Sequence, residues 1–335
     1  MYQVFTTADL RRLGCSDRDV SVAADCCLER VARGRFAVKR LCDNPRHARI
    51  ADAVTLGEAE LFEEVGDVRD VLARAKVLIR TRADVVNGRS GESGRHDVEV
   101  FSHLSAALLW DFTIVKMDKP FVEVIRTSTN KRHAHLFIRR RDVPPGQIDR
   151  LGDVALTTRE RTLIDVARDC DLDISVPMLD DALRRHVVTP DGLRDAAAKC
   201  RETRGRFRVA AALDLADPRR ESPGESISAV RLHEVGLTGF EPQVEIADAH
   251  GRFVARVDFL HAASKTILEF DGRIKYTIDD TDPRHAFDRE RERERQLRAL
   301  GYTVVRIFWK DLWRRRPFTD LARLVSARTP AAPTR

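Results

Sequence analysis

Residues 243–276 read QVEIADAHGRFVARVDFLHAASKTILEFDGRIKY. Within them the runs 243–246, 252–260 and 265–270 alternate apolar and polar side chains and are separated by turn residues. That period predicts an antiparallel meander. In the second run Phe253, Ala255, Val257 and Phe259 share one parity, expected to be the buried face, which puts Arg256 and Asp258 on the other. In the third, Thr266, Leu268 and Phe270 alternate with Lys265, Ile267, Glu269 and Asp271. A short hairpin closed by residues 262–264 puts Asp258 opposite Ile267 or Glu269, so that its carboxylate lies across from, or diagonal to, that of Glu269.

Carboxylates that converge on one sheet face repel one another unless a cation lies between them. Oxygen-only ligands at this density suit Mg2+ or Mn2+, which bind through one or two carboxylates plus a phosphate and keep several waters. The competing reading is a solvated hairpin in which Asp271-Gly272 is only a turn signal.

Asp258, the run Glu269-Phe270-Asp271-Gly272, the helical DRERERERQLRALG and the strand YTVVRIFW together resemble the Vsr-like branch of the PD-(D/E)XK nuclease superfamily, over roughly the last third of the chain. The resemblance implies an α/β sandwich in which Asp258 and Glu269 hold a metal ion. In that pattern a lysine two residues after the second acid helps to activate water. Here that position is Asp271, which leaves Lys275, just past the turn, or Asp271 itself as a third acidic group.

The 335 residues, 43% hydrophobic, suffice for two or three cores of globular type. No apolar run approaches membrane-span length and no basic-then-apolar leader precedes the first helix, so a cytoplasmic protein is expected. Six cysteines show neither Cys-x-x-Cys nor a histidine at finger spacing, which argues for buried thiols over a zinc or disulfide framework. The net charge is +6, and 59 basic residues minus 9 lysines leaves 50 arginines. Arginine's planar fork suits phosphate, although GC-rich coding produces the same excess.

At the start of the chain, residues 5–14 read as a helix capped by Thr6 or Thr7 and stopped by Gly14, and residues 16–31 as a second helix with a Ser16/Asp19 capping box. A Gly-turned hairpin follows over residues 30–38. Helix, turn, helix and basic wing predict a winged helix over residues 1–45, with Arg18, Arg33 and Arg35 nearest DNA. The alternative is a structural or protein-binding winged helix, since Asp17 and Asp19 at the front of the second helix would face phosphates.

Residues 46–218 read as a mixed α+β domain. They contain a Gly/Ser-rich loop at 87–94, the helix SHLSAALLWDF at 102–112, strands at 121–125 and 135–138, and the block LTTRERTLIDVAR at 156–168. These blocks, with Asp180-Asp-Ala-Leu-Arg-Arg185, resemble the AbiEi family of type IV toxin-antitoxin antitoxins over residues 1–215. That likeness implies a transcriptional autoregulator with a nucleotidyltransferase-like toxin as partner. Thr157 or Thr158 is expected to cap the second block's helix, with Thr162, Leu163, Val166 and Ala167 inward. Arg159, Arg161 and Asp165 read better as braces against the arginines at 139–141 than as ligand contacts.

A polar Pro/Gly segment at 219–225 opens the last domain, 219–326, with Ser222 as N-cap, Pro223 first in the helix and Glu225 completing a capping box. Glu225 also shares a stripe with Ala229 and Leu232, so it points either back to the cap or toward the sheet, where a glutamate of the resembled superfamily joins the metal-site acids. In the helix at 288–300, Ala286, Glu290, Arg293, Leu297 and Leu300 form the sheet-facing stripe. Arg291, Arg295 and Arg298 form another, suited to a polyanion unless Glu292 and Glu294 neutralise it. Residues 310–316 are basic with Trp309 and Trp313 interleaved, and residues 327–335 are a tail. The expectation is therefore a multi-domain α/β DNA-binding protein with an Mg2+- or Mn2+-dependent endonuclease domain. The alternative is an AbiEi-like autoregulator whose nuclease fold is silent.

Overall fold

The computed structural model describes residues 4–38, 44–45, 47–53, 68–89, 99–133, 135–272 and 283–329. The chain is mixed α/β and divides into two compact units, residues 1–166 with 192–201, and residues 167–191 with 202–335. The three sequence segments do not map one to one onto these units: the division falls inside a helix of the middle segment, and part of that segment groups with the last.

The first unit begins with β1 (Val4–Thr6), α1 (Thr7–Arg12), α2 (Asp17–Ala24), β2 (Leu28–Ala32) and β3 (Arg35–Val38), whose strands form an antiparallel sheet in the order β1-β3-β2. Both helices start at full capping boxes, Thr6 with Asp9 and Ser16 with Asp19. Phe5, Leu10, Val20, Ala23, Leu28 and Phe36 close a small core between helices and sheet. The second helix is shorter than its sequence pattern suggests. It stops at Ala24, and residues 28–32 pair with β3 instead, Leu28 facing Val38 and Glu29 facing Ala37. Over so short an apolar run the two periods are not distinguishable, and the sheet partner decides.

Next come α3 (Ala48–Asp52) and α4 (Val68–Arg89), the latter tied to the hairpin by Arg74–Glu29 at 2.9 Å and Arg35–Asp84 at 3.3 Å. Residues 87–89, expected in a loop, complete this helix, and the rest of that loop lies outside the described residues. Then follow β4 (Val100–Phe101), α5 (His103–Leu109), β5 (Val122–Arg126), β6 (Lys131–Arg132), β7 (Leu136–Arg140), β8 (Ile148–Leu151), β9 (Val154–Thr157) and α6 (Arg159–Asp169). Their strands form a mixed sheet in the order β6-β7-β5-β4-β9-β8.

Charges are buried against this sheet, each with a partner. Glu99 takes Arg82 and Arg126, and Glu123 takes Arg139 at 2.8 Å. Asp165, fully buried, takes Arg161 at 2.9 Å and Arg141 at 2.7 Å. Arg161, equally buried, also donates to the Gln147 side chain at 2.9 Å, while Arg159 lies over the Trp110 ring at 4.4 Å. Arg161 and Asp165 are thus braces, and Thr158 is the hydroxyl that caps α6.

The second unit holds α7 (Leu172–Arg184), α9 (Arg206–Leu215), α10 (Pro223–Glu234), β10 (Phe240–Ala247), β11 (Phe253–His261), β12 (Thr266–Asp271), α11 (Pro283–Ala299), β13 (Thr303–Phe308), α12 (Trp309–Leu312) and α13 (Arg315–Arg328), with α8 (Pro190–Lys199) straddling the division. Its sheet runs β10-β11-β12-β13, antiparallel except for β12 and β13, which are parallel. The meander is therefore present, and α11 supplies the crossover that a parallel pair needs. Ala255, Val257, Ile267 and Leu297 bury one core. Phe253 departs from its expected place: it is 66% exposed, beyond a register shift between Ile246 and Ala247.

Candidate active site

The β11–β12 register pairs Phe259 with Leu268, which carries the next positions, 258 and 269, opposite each other as the paired segment ends. Asp258 is half-buried and accepts the Phe270 backbone N–H at 2.8 Å. Burial pushes its carboxyl up to about 6, and the negative charges of Glu225 and Glu269 add to the effect. The Phe270 N–H and the Arg293 guanidinium oppose it without cancelling it. The three acids read from the sequence are therefore electrostatic neighbours.

Glu225 arrives at the N-terminus of α10. Ser222 caps that helix, and Glu225 accepts from the Ser222 hydroxyl at 2.7 Å and from the Glu221 N–H at 2.9 Å. The same carboxylate accepts from the Gln243 side-chain amide at 2.9 Å. The reciprocal capping box expected here is replaced by bonds from the Ser222 hydroxyl and the Glu221 N–H, and the charge of Glu225 acts on Asp258. A methyl group at Gly224 would overlap the Phe270 ring, so only glycine lets this helix end approach β12 closely. Phe270 in turn meets Trp309 edge to face at 5.2 Å.

Gln243 has no distinguishing mark in the sequence beyond opening a strand run. In the structure it is a non-glycine residue at φ 55°, and the β10–β11 register, Pro242 with Phe259 and Val244 with Val257, sets it opposite Asp258. A left-handed residue inside a strand costs about 1–3 kcal/mol and persists where its surroundings hold it.

Glu269 is buried and already carries cations. Arg293 from α11 donates to both of its oxygens, at 2.8 and 2.9 Å, and Arg306, its parallel partner on β13, lies 3.7 Å away. Arg306 also pairs with Glu294 at 3.0 Å. Arg293 thus belongs to the site rather than to a charged surface, as its place on the Leu297 stripe foreshadows. Asp271, half-buried, ends β12 on the same parity as Glu269, and Lys275 lies outside the described residues.

The donor set is chemically suited to a hard cation: oxygen ligands only, one of them a carboxylate whose ionised form is disfavoured by burial and by two neighbouring acids. Among the described residues, however, no three His, Cys, Asp or Glu side chains close into a metal-holding group, and the charge of Glu269 is met by guanidinium.

The arginines expected at DNA are placed unevenly. Arg18 on α2 and Arg33 at the hairpin turn are exposed, whereas Arg35 is engaged by Asp84. The acids at the front of α2 are used internally, Asp19 in the cap and Asp17 with Arg11 at 3.1 Å. On α11, Arg291, Arg295 and Arg298 are exposed; Arg295 pairs with Glu292 at 2.6 Å and Arg298 with Glu294 at 2.5 Å, the pairing with these glutamates that the sequence offered as the alternative to a polyanion contact.

No helix among the described residues is long and apolar enough to cross a membrane. Two curated relatives are uncharacterised proteins of Mycobacterium tuberculosis, one from strain CDC 1551 / Oshkosh and one from strain ATCC 25618 / H37Rv. Each is 29% identical to this chain over 178 residues, which is 53% of the chain and 63% of the relative. The match therefore spans a little under two thirds of the relatives' own length. No family model matches the chain, and no solved structure matches it significantly.

Proposed function

We propose that this chain is a DNA-binding protein whose second unit is a metal-dependent phosphodiesterase of the PD-(D/E)XK kind. One observation carries the reading: the β11–β12 register sets Asp258 opposite Glu269, and Glu225 lies near enough for its charge to act on Asp258, whose carboxyl burial pushes up to about 6. A desolvated acid among other acids is a candidate functional site with a physical rationale. Asp258 and Glu269 would hold Mg2+ or Mn2+, which supplies an activated water and polarises a phosphoryl oxygen. The chain's own groups do the rest. The Phe270 N–H orients the Asp258 carboxylate, and Ser222, Glu221 and Gln243 fix Glu225. Arg293 and Arg306 are the cations placed to offset charge gained at phosphorus, with Asp271 standing where the superfamily pattern has lysine. Lys275 is proposed as a further cation for the same site. In the first unit, two capped helices followed by a hairpin with exposed Arg18 and Arg33 support a winged-helix reading in which these residues meet phosphates.

A second reading is favoured by the guanidinium grip on Glu269 and by Asp271. In it the nuclease fold is silent, and the protein is an AbiEi-like antitoxin or autoregulator with a nucleotidyltransferase-like toxin as partner. The variants Asp258→Ala and Glu269→Ala separate the two. The nuclease reading expects each to abolish Mg2+-dependent nicking of plasmid DNA with a near-native thermal melt. Undiminished nicking in both ends it. Absence of any cleavage by the unmodified protein, together with operator binding that survives chelation, favours the regulator.

A further inference from the structure

At the opposite end of α10 from Glu225, the second unit opens a cleft of about 380 Å³ lined by Arg231, Glu234, Val235, Trp313, Arg314, Arg315 and Phe318. Its size is that of a ligand site rather than a packing defect. Phe318 is fully buried at its floor, while Trp313 leaves 47% of its surface exposed at the rim. Arg231 is immobilised there: it donates to the Leu312 carbonyl at 2.7 Å, pairs with Asp173 and Glu234 at 2.9 Å, and lies 5.8 Å over the Trp313 ring. Glu234, the one acid in the lining, is thereby neutralised. The arginines elsewhere in this unit are largely matched to carboxylates, as Arg220, Arg256, Arg293 and Arg298 are. Arg314 and Arg315 are exposed and make no ion pair among the described residues.

We infer that this cleft grips single-stranded DNA, with a base stacked on Trp313 and the flanking phosphates held by Arg314 and Arg315. An indole beside uncompensated guanidiniums is the pairing that unstacked nucleotides select: every base has a π-face, and each arginine fork matches a phosphate. The cleft's position favours a nucleic acid over an acidic peptide. Residues 225 and 234 are nine positions apart on one helix, or about 13 Å, a few nucleotides of strand. One turn before Trp313 on α12, Trp309 packs against Phe270, whose N–H holds Asp258. A strand seated in the cleft would lead toward the acids. The inference deepens the nuclease reading, yet its test can fail or succeed separately.

Binding of fluorescent oligo(dT) to the full chain is followed by anisotropy in EDTA, where cleavage is silent. The unmodified protein is expected to bind. Trp313→Ala is expected to weaken binding about tenfold and Trp313→Phe to restore most of it, because base–aromatic stacking is worth about 1–3 kcal/mol per base. Arg314→Ala with Arg315→Ala is expected to lower the slope of log K against log salt by about 1.4, at about 0.7 for each phosphate on a single strand. Thermal melts check that each variant keeps the fold, and Trp313→Phe keeps a ring for packing where Trp313→Ala does not. Wild-type affinity in both variants overturns the inference. So does equal binding of a duplex of the same length with the same Trp313 dependence, or full competition by polyglutamate. Oligo(dT) binding in EDTA with no nicking in a parallel Mg2+ assay leaves the cleft standing and removes the nuclease; Mg2+-dependent nicking with an indifferent cleft does the reverse.

Discussion

Asp258 is the residue at which pH reports on the site. Its carboxyl titrates near 6 in the folded protein against an ordinary value of 3.8, so the fold holds that proton more tightly than the unfolded chain does. The stability this contributes is fully present below the unfolded value and is lost as pH rises through about 6. Asp258→Asn removes the cost of the ionised form. The variant should gain in melting temperature over the unmodified protein between pH 5 and pH 7.5 in EDTA, and a difference that stays flat would contradict the burial of this charge. Magnesium needs the ionised carboxylate, so any Mg2+-induced rise in melting temperature should appear above about pH 6 and fade below it. Glu269 makes a complementary case. Arg293→Ala leaves the buried Glu269 carboxylate with Arg306 as its one cation among the described residues, at a cost of about 1–3 kcal/mol. Millimolar Mg2+ should recover more stability in this variant than in the unmodified chain. If thermal melts show no such gain, Glu269 is not a metal ligand.

At the scale of the element, α10 sets the geometry of the site. Its start is legible in Ser222-Pro223-Gly224-Glu225, but the reason for glycine is tertiary, since the Phe270 ring fills the space a side chain would take. Gly224→Ala should cost about 1–3 kcal/mol through overpacking and lower any cleavage activity by displacing Glu225; a melt and a nicking assay on the same preparation check both. In the first unit α6 carries a fully buried charge pair. Asp165 is held below the usual carboxylate range, the cost of burial being outweighed by His103, Arg161 and Arg141. Arg161→Ala takes one of the two guanidiniums from buried Asp165, leaving Arg141, and should destabilise by about 1–3 kcal/mol. A loss under about 1 kcal/mol in urea unfolding would show that water reaches the pair.

For the molecule as a whole, 50 arginines suggest more phosphate contacts than the structure leaves available, because carboxylates claim many of them, Arg35, Arg295 and Arg298 among those expected at DNA. Duplex binding should accordingly show a modest salt slope. Substituting exposed Arg18 and Arg33 together by alanine should lower it by about 1.8, at about 0.9 per phosphate on a duplex. An unchanged slope in filter-binding titrations would remove the first unit from the duplex interface.

Period and punctuation along the chain were enough to place the β10–β12 meander, the capped starts of α1, α2 and α10, and the neighbourhood of Asp258 and Glu269, because all of these depend on near neighbours in sequence. The same local signals carried the second helix past Ala24 and put Phe253 inside, since a short apolar run has no preference of its own until a partner strand or a covering helix is present. Only the tertiary structure decided that Arg293 sits on Glu269, that Gln243 is held left-handed opposite Asp258, and that Arg314 and Arg315 border one cleft with Trp313. Those outcomes depend on which groups meet across tens of residues, where desolvation and charge pairing choose among side chains that look alike in the sequence.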